Sequence, residues 1–227
     1  MQHYRVLSLA WAALGLVLVA ISIAVASPVQ ISATPSASET SPSEPAPGHF
    51  LVAKRSLKDL SFGQSVVYLL EHDETGTQGL IVNRSSDIKL SEALPDIADN
   101  QETEHVLHYG GPVGLSSIFM LIRSETVFDG LFHIANGVYV STDRRVLDEI
   151  LGAKTPENEV RFYLGYSGWA PGQLDYEFKR GSWHLMAADP DTIFTHDTQS
   201  LWGLLIKQLE PKLDPVAHGS LSNVSFR

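Results

Sequence analysis

The 227-residue chain contains no cysteine. Disulfides, thiol nucleophiles, thiol redox chemistry and thiolate metal sites are therefore excluded together. Positive charge is also scarce: 16 Lys and Arg face 26 Asp and Glu, for a formal net charge of -10. Diffuse attraction to phosphate backbones does not dominate such a surface, so direct contact with nucleic acid is not expected. The glycine-rich segments lack the lysine of a phosphate-binding P-loop and the spacing of a dinucleotide-binding turn. No internal repeat is present.

What is present divides the chain into four parts. Residues 6–26 carry no charged side chain and follow Arg5, while the next basic residue is Lys54. A stretch of this length suits a membrane anchor, whereas Ala24-Val25-Ala26 before Ser27 suits cleavage as a signal peptide. Either reading of residues 1–26 leaves the amino terminus in the cytoplasm and carries the remainder to the periplasmic side, anchored at the inner membrane or exported. A start codon chosen too early would instead give a cytoplasmic protein. Residues 27–48 are rich in Ser, Pro, Ala, Thr and Glu and predict a disordered tether. Residues 211–227 predict a loose tail. The span 49–210 remains as one domain of ordinary size.

Within that domain the β-branched apolar runs at 49–53, 65–72, 79–84, 105–110, 117–122, 131–135, 138–141, 160–166 and 183–188 predict strands. The polar "DETGTQ" between the second and third reads as a hairpin turn. "TDRRVLDEILG" predicts a helix after a Ser/Thr cap, with an acid in its first turn and Gly152 at its end. "PGQLDYEFKRG" predicts a helix opened by Pro171 and closed by Gly181. "QSLWGLLIKQL" predicts a third, with Leu201, Leu204, Leu205 and Leu209 on its apolar stripe. "SEALPDIA" supports one or two turns broken at Pro95. Hairpins with helices gathered late indicate an α+β fold.

The stretch "LGYSGWAPGQLDYEFKRGSW", residues 164–183, carries the densest pattern. A hydrolase elbow needs glycine on both sides of its serine, but Trp169 stands where the second glycine belongs. A strand running into a glycine turn and a helix would present free N–H groups to an anion, yet the simpler reading is a tight corner plugged by Trp169. "YGGPVG", residues 109–114, reads as a second backbone-determined corner. His105 and His108 fall on opposite faces of a strand, and His72, His133, His184 and His196 are scattered, so neither a metal nor a cofactor is expected. The acids Asp73, Glu74, Asp96, Asp99, Glu102 and Glu104 read as solvated charge.

In this order, "FLVA" with Asp59 and Phe62, "SVVYLLEH", "GLIVN", "YGGPV", "VYVSTD" with "VLDEILG", "LGYSGWAPGQLDYE" and the later tryptophan resemble the AlgH/YqgE-like family over about residues 49–209. The resemblance implies a compact α+β fold with a bulged, barrel-like, mostly antiparallel sheet. It supplies no settled activity, and the family's association with transcriptional regulation does not establish DNA binding. The chain departs from the family pattern at Arg55, at Arg84-Ser85 and at "GLSSIF" after the glycine pair. The expected function is ligand binding or regulation without catalysis, the partner being a small molecule or a protein. Asn83, Gly110, Gly111, Pro112, Ser167, Gly168, Trp169 and Gln173 are its most accessible candidate residues. The alternatives are a hydrolase using Ser167 with a histidine and an acid such as Asp175, and an indirect transcriptional regulator.

Overall fold

The computed structural model describes residues 42–98, 105–127, 129–156 and 159–210. The apolar segment 6–26, the tether up to residue 41 and the tail 211–227 lie outside these residues. The tether's end does not: Pro45 and Gly48 are buried, and Gly48 donates to the Leu69 carbonyl at 3.0 Å.

Among the described residues ten strands form one curled sheet: β1 (His49–Ala53), β2 (Val66–Asp73), β3 (Gly76–Ile81), β4 (Ser85–Lys89), β5 (Val106–Tyr109), β6 (Val113–Arg123), β7 (Phe132–Ala135), β8 (Val138–Ser141), β9 (Val160–Trp169) and β10 (Trp183–Ala187). The main order is β10-β1-β2-β3-β9-β6-β8-β7, while β5 joins β9 and carries β4 on its other side. Every pairing is antiparallel except β5 with β9. Register shifts in β2–β3, β4–β5, β6–β9 and β7–β8 are the bulges that bend it. The expected α+β class and bulged, barrel-like sheet are both observed.

Helices cover both faces, so the central strands are apolar throughout instead of alternating. In β1, Phe50, Leu51, Val52 and Ala53 are all 0% exposed. Phe50 and Val52 pack under α6 (Thr198–Leu209), beside Leu201, Leu205 and Ile206, and behind α5 (Pro190–Ile193). Leu51 and Ala53 face the opposite way, towards Trp169, Trp183 and Leu174 of α4 (Gln173–Lys179). Burying each large apolar side chain contributes roughly 1.5–3 kcal/mol relative to exposure. A further core joins Met120, Ile122 and Phe162 to Val146, Leu147, Ile150 and Leu151 of α3 (Arg144–Gly152) and to Leu90 of α1 (Leu90–Ala93). Pro95 separates α1 from α2 (Pro95–Ala98), as its missing N–H requires.

Several element ends differ from the sequence reading. The β2–β3 turn is only Glu74-Thr75, since Asp73 pairs with Gly76. The cap of α3 is Asp143, whose carboxylate accepts from the Arg145 N–H, and its first turn holds no acid. Gly152 is the last helical residue, and the left-handed residue beyond the helix is Lys154 (φ 54°). α4 starts at Gln173, after a left-handed Gly172, so Pro171 lies outside it. Gly181 does close its end, with φ 78°. On α6 the buried stripe contains Ile206, 0% exposed, while Leu204 is 54% exposed.

Candidate functional site

The two glycine segments meet at a crossing of the main chain. Residues 162–164 of β9 pair with β5 along one edge and with β6 along the other. The chain leaving β5 must therefore step over β9 before β6 begins. It does so at Gly110-Gly111-Pro112. A Cβ on Gly110 would lie 2.2 Å from the Gly165 carbonyl oxygen, and one on Gly111 would lie 2.3 Å from the Tyr166 carbonyl carbon. Only glycine permits backbones this close. The crossing is pinned on all sides: Gly110 N–H donates to the Leu164 carbonyl at 3.0 Å, and its carbonyl accepts from the Ile81 N–H at 2.8 Å and the Ser167 hydroxyl at 3.0 Å.

The corner expected at Ser167-Gly168-Trp169 is not a corner. β9 continues through it, with Ser167, Gly168 and Trp169 paired to Gly79, Gln78 and Thr77. The left-handed residue is Gly165 (φ 67°), which lies inside the strand and opposite a bulge in β6, where residues 114–117 fill the space between the partners of Leu164 and Tyr166. Tyr163 and Tyr166, three apart, consequently pack with the same core cluster, which an unbulged strand forbids. The chain turns only at Ala170–Gly172, before α4.

The other candidates are held by internal bonds. Ser167 is 0% exposed, and its hydroxyl donates to the Gly110 carbonyl, with no hydrogen bond to an imidazole among the described residues. Asn83 accepts from the Val66 N–H at 2.7 Å and donates to the Gln64 carbonyl at 3.0 Å, holding Gln64 at φ 59°. Gln173 accepts from the Ala170 N–H at 3.0 Å and donates to Glu177 at 3.1 Å. Trp169 is 4% exposed, stacks on Phe62 at 5.3 Å and meets Trp183 edge-on at 6.2 Å. Both indole N–H groups donate to one carboxylate oxygen of Glu177, at 3.1 and 3.0 Å.

Gly168, Trp169 and Val113, which follows the crossing, line a surface cleft of about 300 Å³. Its other wall is the β2–β3 hairpin, with Glu71, Gly76, Thr77 and Gln78, and Tyr166 lies at its side. Glu71 and Gln78 are register partners. The Glu71 carboxylate, the Gln78 amide and the Tyr166 hydroxyl have no hydrogen-bond or ion-pair partner among the described residues. Thr77 also lines the cleft, and its hydroxyl lies 2.7 Å from His72 Nδ1, whose Nε2 is 3.5 Å from Asp175. The sequence reading missed these wall residues because a six-residue turn hid the register that a two-residue turn fixes.

A second buried polar group lies away from the cleft. His108 is 7% exposed, and burial, aided by the nearby Arg161 cation, pushes its pKa down to about 4. Its ring sits 5.3 Å from that of Tyr163, whose hydroxyl burial raises to a pKa of about 12. Arg161, 5% exposed, donates to the Thr195 carbonyl. Among the described residues no group of three or more His, Asp or Glu is placed to hold a metal ion.

The AlgH-like family model matches residues 50–214. The chain belongs to the AlgH-like family. This AlgH-like chain is 36% identical to a UPF0301 protein of Chlorobium limicola over 71% of its own length and 85% of the relative's. A UPF0301 protein of Methylococcus capsulatus is 37% identical, covering 70% and 89%. Among solved structures, the AlgH protein from Pseudomonas aeruginosa superposes with a TM-score of 0.62 at 29% identity, covering 80% of this chain and 99% of that one. The family remains without an assigned activity.

Proposed function

We propose that this AlgH-like domain recognises a small ligand in the cleft between the β2–β3 hairpin and the end of β9 beyond Gly165, without catalysing a reaction. The observation that carries this reading is that three residues whose polar side-chain groups have no partner among the described residues, Glu71, Gln78 and Tyr166, line one cleft of about 300 Å³. That volume is at the lower bound for small-molecule sites. Among the described residues Glu71 is the one charged lining residue, so the fitting ligand is neutral or cationic and rich in N–H or O–H donors. The glycine crossing beneath holds the walls rigid, which lowers the ordering cost of binding. Of the earlier candidates, Gly168 and Trp169 touch the cleft, Pro112 leads into it, Gly110, Gly111, Ser167 and Gln173 support its frame, and Asn83 lies away from it, bonded to Val66 and Gln64. Screening the protein against a neutral and cationic metabolite panel tests the reading. At least one compound should raise Tm, and Gly168→Val, which fills the cleft, should abolish that rise. A panel that leaves Tm unchanged throughout would remove the proposal.

One observation favours a hydrolytic reading in a form different from the Ser167 one. Thr77, His72 and Asp175 form a hydroxyl–imidazole–carboxylate row at 2.7 and 3.5 Å. Against it, Thr77 is 5% exposed and β-branched, and the row ties β2, β3 and α4 together as a structural lock. A fluorophosphonate probe that labels Thr77, and fails on Thr77→Val, would make the domain an enzyme.

A regulatory role follows as ligand-controlled contact with a partner protein, since a net charge of -10 gives no general attraction to DNA. We also propose residues 6–26 as the route to the inner membrane or beyond it. Among the described residues no helix is long and apolar enough to cross a membrane. Fractionation of cells carrying a tagged copy tests the location.

A further inference from the structure

We infer that a second pocket, separate from the cleft, binds the phosphoryl group of a phosphorylated small molecule. It encloses about 380 Å³ between the β1–β2 loop and α6, lined by Lys54, Arg55, Lys58, Gly63, Gln64 and Trp202, with Asp59 also at its wall. Charge singles it out. Four cations, Lys54, Arg55, Lys58 and Arg84, whose guanidinium donates to the Gly63 carbonyl, meet two carboxylates, Asp59 and Glu210, for a local balance of +2 in a chain of net charge -10. The two carboxylates are already engaged. One oxygen of Asp59 accepts the N–H groups of Ser61 and Phe62 at 2.7 and 2.8 Å, and Glu210 pairs with Arg55 at 3.3 Å. Lys54 and Lys58 both line this concavity and have no carboxylate partner among the described residues; the Lys54 ammonium lies over Gly181, within a side-chain rotation of the pocket.

The frame is fixed independently of any ligand. Trp202 donates its indole N–H to the Ala53 carbonyl at 2.7 Å, and the Arg55 guanidinium lies 5.7 Å from its ring centre. Gln64, at the rim, is held in the left-handed region by Asn83, a conformation that costs free energy in a non-glycine residue. The pocket is larger than a bare phosphate needs, so the occupant carries an organic portion beyond its phosphoryl group. Such an anion arrives either as a free phosphoester or as a phospholipid headgroup, and both present the same oxygens to the lysines.

The test is a calorimetric titration of the full chain with pyrophosphate, and in parallel with the soluble short-chain lipids dihexanoyl phosphatidylglycerol and dihexanoyl phosphatidylcholine. Pyrophosphate should bind, more weakly as salt rises, and perturb the Trp202 indole and Gly63 amide signals in NMR. Lys54→Ala and Lys58→Ala should each weaken binding roughly tenfold or more, while Glu71→Gln, in the other cleft, leaves it unchanged. Tighter binding of the phosphatidylglycerol than of pyrophosphate assigns the site to lipid headgroups, and the reverse assigns it to free phosphoesters. Absence of binding by both anions at millimolar concentration, equal binding of the phosphatidylcholine, or affinity untouched by both lysine substitutions overturns the inference. Circular dichroism of the variants, whose altered side chains reach solvent, separates lost binding from lost folding.

Discussion

Replacing Gly110 with alanine places one methyl group at the point where two backbones cross. The new Cβ would stand 2.2 Å from the Gly165 carbonyl oxygen and 2.7 Å from a Leu80 methyl. Ordinary C···O approach stops at about 3.3 Å, so the chains must separate by roughly 1 Å. The β9 side cannot yield freely, because its residues are paired along both edges. Separation strains three hydrogen bonds: Gly110 to Leu164, Ile81 to Gly110, and Ser167 to Gly110. At about 1 kcal/mol each, with about 1–3 kcal/mol for overpacking, the loss comes to roughly 4–6 kcal/mol, a large share of the roughly 5–15 kcal/mol of an ordinary domain. Gly203→Ala is the control: a Cβ there meets nothing within 4 Å, and in mid-helix it should stabilise by up to about 1 kcal/mol. Urea unfolding followed by circular dichroism measures both. A Gly110→Ala protein within about 0.5 kcal/mol of the parent, the range of ordinary surface substitutions, would refute the crossing as a steric constraint.

Three further outcomes follow from particular residues. His108 is neutral when folded, with a pKa near 4, but takes up a proton at its ordinary 6.5 when unfolded, so stability is full above pH 6.5 and falls as pH drops towards 4. The fall is up to about 3 kcal/mol, and urea midpoints measured across that window should lose most of their slope in His108→Phe. Burial also lowers the His49 pKa, which adds a smaller slope of the same sign. Glu177→Ala strips the shared acceptor from Trp169 and Trp183 and should cost about 2 kcal/mol by denaturation, with Glu177→Gln recovering about half because one carbonyl oxygen remains. Asn83→Ala removes two buried hydrogen bonds and should cost about 2 kcal/mol, whereas Gln64→Gly relieves the left-handed residue that Asn83 holds and should stabilise by about 1 kcal/mol in the same assay.

Much of the fold was legible because local signals agreed with the tertiary structure. The strand at 138–141 is found as expected, Pro95 breaks its helix, and Gly181 closes α4. What escaped was set by distant partners. A left-handed glycine looks the same in a turn and inside a strand; only the pairing of Ser167–Trp169 with β3 decides that the strand continues past Gly165. The polar "SSDIK" gives no strand signal, and β4 exists because β5 lies beside it. The α6 stripe was misphased because Ile206, not Leu204, meets the sheet. Within the candidate site, the glycines and Trp169 were visible from composition. Glu71, Gln78 and Tyr166 were not, because an unpartnered polar group is recognised only once its neighbours are known.

The proposed ligand recognition stands or falls with the cleft against the end of β9 beyond Gly165. It is examined most closely by an NMR titration of isotopically labelled protein with the compound that most raises Tm. Saturable shifts are expected at the amides of Gly76 and Gly168 and the side-chain amide of Gln78, with Gly63 and the Trp202 indole unmoved. Shifts clustered elsewhere, with Gly168 and Gln78 unmoved at saturation, would show that the cleft is not the binding site.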